Sequence, residues 1–136
     1  MDKYRILYVD DDPEWSRHAK EAINKTSDWE ITTAGSISDV TQLIREERGF
    51  EVAIVDLGIG GGSLRWDPKS GEEIARRLSE RGVKIGLLSA QDSEVSRKIA
   101  KDLNAPLFDK GHINSFLEVA TKTLNYGLPT GSERMG

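Results

Sequence analysis

Cysteine is absent from the 136 residues, so neither a disulfide framework nor a thiolate metal centre is available to this chain. Long apolar runs are missing too. The longest, "ILYV" (6–9) and "VAIV" (52–55), hold four residues each, against the roughly 20 that a membrane-crossing helix needs. There is no basic excess: the net charge of −4 speaks against a nucleic-acid surface, which is built on clustered lysine and arginine. Arg76, Arg77 and Arg81 share part of a helix face, and a solvated surface accounts for them. The first residues, "MDKYRILYVDDDP", lack the apolar stretch and cleavage site of a secretory signal. The expectation is a cytoplasmic protein with no membrane association and no direct nucleic-acid binding.

What is present suits one folded domain. The chain is 37% hydrophobic and 31% charged, and its length is enough to bury a real core. Strand-like and helix-like segments alternate. Apolar runs at 5–9, 29–34, 51–55, 83–88 and 105–108 predict five strands. Asp12 before Pro13 reads as a helix cap followed by a first-turn proline, and Trp15, Ala19, Ala22 and Ile23 then fall on one face. Ser36 with Asp39 resembles a capping box ahead of Ile37, Val40, Leu43 and Ile44. Ile74, Ala75 and Leu78 mark a third helix, Val95, Ile99 and Leu103 a fourth, and Ile113, Phe116, Leu117, Ala120 and Leu124 a fifth. Continuous rather than alternating apolar strands predict an α/β fold, a doubly wound parallel sheet covered by helices on both faces. Residues 3–126 are expected to form this domain, and 127–136 ("GLPTGSERMG") a tail or linker.

Ligands of open parallel sheets bind at the carboxyl ends of the strands. Those ends carry Asp10, Asp11 and Asp12 after strand one, Asp56 after strand three, Ser89 after strand four, and Asp109 and Lys110 after strand five. Each alone has a plain explanation as a turn former, a cap or a surface lysine, and Asp12 is read as the cap. Together, on one edge, they make a site. Two carboxylates about 4 Å apart repel by roughly 4 kcal/mol at an effective dielectric near 20. Converging carboxylates therefore take up protons or hold a cation, and an all-oxygen set suits Mg²⁺. A cation, a lysine and a hydroxyl cradle the charge of a transferring phosphoryl group, and a carboxylate can itself be the nucleophile. Asp56, alone on the central strand, is the expected acceptor. The glycine-rich stretch after it, "GIGGGSLRWDPKSG" (58–71), lacks the Gly-Lys-Ser/Thr ending of a phosphate loop and lies in an acidic neighbourhood, so the aspartate is the site. Trp66 within it is either a docking handle or packed back onto the domain.

The segments "ILYVDDDP", "VAIVDL", "SGEEIARRL", "GLLSAQ" and "LFDK" resemble, in family order, the receiver domain of two-component response regulators over about residues 4–126. The resemblance implies a five-stranded sheet of flavodoxin-like order 2-1-3-4-5. It implies that Asp56 accepts a phosphoryl group from a sensor histidine kinase or phosphotransfer protein. Asp11, Asp56 and the carbonyl of Gly58 would ligate Mg²⁺, and Asp10 would act through water. Ser89 would bond a phosphoryl oxygen and Lys110 would be the family lysine. A downstream protein target and a phosphorylation-dependent homodimer are further implied partners. Three departures stand out. The family glycine that usually comes about eight residues after the acceptor is matched here by Gly71, fifteen residues on; Gly111 follows the lysine where the family has proline; and Leu107 occupies the usual position of the switch aromatic, with Phe108 expected on the opposite side of its strand. The alternatives are a haloacid-dehalogenase-like Mg²⁺-dependent phosphatase, for which "VDDD" supplies an Asp-x-Asp pattern, a flavodoxin-like flavin binder, and a pseudo-receiver serving only as an interaction module.

Overall fold

A computed structural model describes residues 3–26, 28–58, 68–90 and 93–127. Trp66, most of the glycine-rich stretch and the tail from 128 onward lie outside the described residues. The elements run β1 (Tyr4–Val9), α1 (Pro13–Asn24), β2 (Trp29–Ala34), α2 (Ile37–Arg45), β3 (Val52–Asp56), α3 (Pro68–Glu80), β4 (Lys84–Ser89), α4 (Glu94–Leu103), β5 (Leu107–Asp109), a 3-10 turn (Lys110–His112) and α5 (Phe116–Asn125). All strand pairings are parallel, in the order β2-β1-β3-β4-β5. Fold class and strand order are as the sequence predicts.

Successive strand residues alternate faces, and two cores result. Leu7, Val9, Ala53, Val55 and Leu87 pack with Val40 of α2, Ile74, Ala75 and Leu78 of α3 and Ile99 of α4. Ile6, Tyr8, Val52, Ile54 and Leu88 pack with Ala19 and Ile23 of α1 and Phe116, Val119 and Ala120 of α5. Leu107 joins the first core and Phe108 the second, on opposite sides of β5 as expected.

Helix starts follow their caps. Asp12 accepts from the Glu14 N–H at 2.9 Å and Pro13 opens α1. Ser36 accepts from Asp39 N–H, while Asp39 Oδ2 reaches back to the N–H of Gly35, one residue earlier than a standard capping box uses. Two helical stripes differ from expectation. Ile113 lies before α5, at the end of the 3-10 turn. Val95 is 52% exposed, and the buried positions of α4 are Ser96, Ile99 and Ala100. The stripe is displaced because a serine holds a core position, where its hydroxyl is satisfied by other serines. Arg76 and Arg77 pair with Glu72 and Glu73 one turn earlier on the solvent side of α3, as a solvated face would.

Two glycines fix how closely helices meet the sheet. A Cβ on Gly71 would lie 3.1 Å from Leu57 Cα and 3.2 Å from the Asp56 carbonyl oxygen, so the first turn of α3 lies against the backbone at the end of β3. At Gly86 a Cβ would collide with the Thr123 hydroxyl of α5 and stand 2.9 Å from Ile54 Cδ1. Gly86→Ala is therefore expected to destabilise the fold by about 1–3 kcal/mol, read as a lowered urea midpoint. A midpoint at the wild-type value contradicts this packing.

Candidate functional site: an acidic cluster with a buried lysine

The registers Val9↔Val55, Asp56↔Leu88 and Ser89↔Asp109 put the ends of β1, β3, β4 and β5 on one edge of the sheet. Four polar side chains are buried there. Asp10 is 2% exposed, Asp56 3%, Ser89 3% and Lys110 8%. Buried charges persist only when paired and hydrogen-bonded, and these are. Lys110 Nζ donates to Asp10 Oδ2 at 2.8 Å and to Asp56 Oδ2 at 3.2 Å. Asp10 Oδ2 also accepts from the Tyr8 hydroxyl at 2.8 Å, and Asp10 Oδ1 from the Asp12 N–H at 2.9 Å. Asp56 Oδ1 accepts from the N–H of Gly58 at 3.1 Å. Gly58 has φ +67°, the left-handed region that favours glycine.

Asp10, Asp11 and Asp56 each offer a carboxylate oxygen within 4.8 Å of the others, Asp11 being half-buried. That hard, all-oxygen set fits one Mg²⁺ or Ca²⁺ ion. Asp12, next in sequence, is turned to its cap.

Electrostatics set Asp56 apart. Burial, then the charge of Asp10, pushes the Asp56 carboxyl up to about 6, against the lowering effect of Lys110 and the Gly58 N–H. Burial alone would lower the Lys110 pKa, but its hydrogen bond to Asp10 and the charges of Asp56 and Asp10 outweigh it and raise it above the usual lysine value. Burial, then Asp10, holds the Tyr8 phenol in its protonated, donating form.

Ser89 enters a short hydroxyl chain. Its Oγ lies 3.1 Å from Ser96 Oγ, and Ser93 Oγ donates to Ser96 Oγ at 2.9 Å while accepting the Ser96 N–H as the cap of α4. The structure thus brings together Asp10, Asp11, Asp56, Ser89 and Lys110. It adds residues that sequence patterning overlooked. Tyr8 reads as a core aromatic in an apolar strand. Ser96 breaks the apolar stripe, and its only signal is the Ser-x-x-Ser cap spacing.

No family model matches the chain. It is 36% identical over 56 residues to a two-component response regulator of Arabidopsis thaliana; the match covers 40% of this chain and 11% of that protein, so this chain spans only a small part of the relative's length. Among solved structures, a CheY-like response regulator receiver domain protein from Methanospirillum hungatei superposes with a TM-score of 0.74 at 19% identity, over 99% of this chain and 100% of that one. The fold is that of a receiver domain. A response regulator protein from Burkholderia pseudomallei, solved with a phosphorylated aspartic acid and a calcium ion, shares the receiver fold at a TM-score of 0.67 and 19% identity, over 90% of this chain and 69% of that one. No helix among the described residues is long and apolar enough to cross a membrane.

Proposed function

We propose that residues 3–126 form a phosphoacceptor signalling domain in which Asp56 takes a phosphoryl group from a histidine kinase or phosphotransfer protein. The observation that carries this reading is the convergence of Asp10, Asp11 and Asp56 with a lysine bonded to two of them at the carboxyl edge of a receiver fold. A carboxylate oxygen of Asp56 attacks phosphorus, the phosphorus–nitrogen bond to the donor imidazole breaks, and the imidazole leaves with that electron pair. Lys110 moves its hydrogen bonds toward the new phosphoryl oxygens, and the Ser89 hydroxyl donates to one of them. Asp11 and Asp56, with the Gly58 carbonyl and Asp10 through water, would hold Mg²⁺. Bound there, that ion neutralises the carboxylates and offsets charge on the transferring group. The new acyl phosphate changes the charge at the edge and thereby the surface offered to a downstream protein or to a second copy of the domain. The residues 127–136 then link or terminate the domain.

A phosphatase built on the Asp-x-Asp pattern needs Asp12 for acid–base work, and the engagement of Asp12 as the α1 cap favours the acceptor reading instead.

Incubation with acetyl phosphate and Mg²⁺ is expected to add one phosphoryl unit to the intact mass, mapped to Asp56, and none to Asp56→Asn. Modification at another residue would falsify the assignment. Asp11→Ala is expected to weaken Mg²⁺ binding at least tenfold, a loss of about 1.4 kcal/mol, with little change in stability. Asp12→Ala should do the reverse, costing about 1 kcal/mol through the lost cap and sparing the metal. Equal effects in calorimetric titration and urea unfolding would mean the two roles are wrongly divided.

A further inference from the structure

Lys110 follows the edge strand β5 and opens a 3-10 turn in which Asp109 Oδ1 accepts from the Gly111 N–H. Two of its three N–H donors are engaged by Asp10 and Asp56. Its Nζ also stands 4.8 Å from the centroid of the Trp15 ring, a face that attracts an ammonium electrostatically. Trp15 is itself buttressed: its ring meets Phe116 of α5 edge-on at 6.0 Å and 76°, and Phe116 meets Tyr8 edge-on at 5.4 Å and 85°. The Tyr8 hydroxyl bonds Asp10, which bonds Lys110. The contacts therefore close on themselves, from Lys110 through Trp15, Phe116, Tyr8 and Asp10 back to Lys110.

We propose that Trp15 is a positioning residue of this site, holding the Lys110 ammonium against Asp10 and Asp56 so that it meets the incoming phosphoryl group without reorganising. The role rests on the phosphoacceptor reading given above. The carboxylates pull the ammonium from one side and the indole face supports it from another, and the apolar ring keeps water from loosening the pair. An aliphatic residue of similar bulk would fill the space and supply no such attraction. The aromatic support of the lysine thus comes from α1 and α5 in a chain whose own β5 has Leu107 beside Phe108.

The test has two arms on the whole chain. The first uses no phosphodonor: the Lys110 ε-methylene protons should show an upfield ring-current shift in the NMR spectrum that disappears in Trp15→Leu. The second measures formation of the Asp56 phosphate at saturating acetyl phosphate and Mg²⁺. Trp15→Leu should slow it roughly three- to thirty-fold, the range of a desolvated cation–π contact, while Trp15→Phe recovers most of the rate. Site-specific fluorotryptophans at position 15 preserve the shape, so they keep the test decisive even where the leucine variant fails to fold. Mono- and difluoro rings should reduce the rate stepwise, with Mg²⁺ affinity within twofold of wild type. A rate indifferent to fluorination overturns the role of Trp15 alone. A wild-type chain that shows the ring-current shift but takes no phosphoryl group overturns the phosphoacceptor reading and this role with it.

Discussion

Lys110→Ala is expected to cost the metal-free protein about 3–5 kcal/mol at pH 8, as truncating one partner of a buried ion pair does. Asp10 and Asp56 would then face each other without a counter-charge, since both accept from the same Nζ. The penalty should shrink toward pH 5, because Asp56, already raised to about 6, takes a proton and relieves the repulsion. Added Mg²⁺ should restore part of the loss, as a cation among the carboxylates replaces the missing ammonium. Urea unfolding in chelator and in Mg²⁺, at both pH values, reads all three effects. A loss below about 1 kcal/mol at pH 8 in chelator would show that water already screens the carboxylates and that the lysine is not their main counter-charge.

Asp56→Asn is expected to stabilise the metal-free protein at neutral pH. The Asp56 carboxyl stands at about 6 in the fold against an ordinary value near 4 in an unfolded chain. Between those values the folded state binds more protons than the unfolded one, so stability falls as pH rises through this window and stays low above it. The full difference is on the order of 3 kcal/mol. Asparagine removes the charge but offers one oxygen where the carboxylate uses two, on Gly58 N–H and on Lys110, so the net gain should be about 1–2 kcal/mol. The gain should be present at pH 7–8, vanish near pH 4, and diminish when Mg²⁺ stabilises the parent. A variant less stable than the parent at pH 8 in chelator would mean that the pairing with Lys110 outweighs the burial of the charge.

Much of the fold was legible because its signals are local. Five apolar runs and the caps at Asp12 and Ser36 are written in adjacent residues, and parallel strands buried on both faces read as continuous hydrophobic stretches. Asp10, Asp11, Asp56, Ser89 and Lys110 were legible because topology alone brings strand ends to one edge. What escaped was the support. Tyr8 and Trp15 carry a polar tip or a π face on side chains that patterning counts only as apolar, and the contacts that use these features come from distant elements. Ser96 was missed for the opposite reason: periodicity assigns a hydroxyl to the solvent, whereas Ser96 is buried with its hydroxyl bonded to those of Ser89 and Ser93.

The bond from Lys110 to Asp10 joins residues 100 positions apart, and β5 is both the last strand in sequence and an outer strand of the sheet. In a chain where β1 and β3 pair before β5 docks, the acidic groups gather while their counter-charge is still on an undocked segment. Neutralisation then waits on a contact across 100 residues, whose loop closure is slow to arrive in a chain of this size. A nascent chain emerging from the ribosome carries a self-repelling centre until its final β–α unit arrives, so truncations before residue 110 should stall at this step rather than yield a smaller stable domain. In such chains divalent cations are expected to become a folding factor: an ion held by Asp10, Asp11 and Asp56 would substitute during assembly for a residue not yet in place.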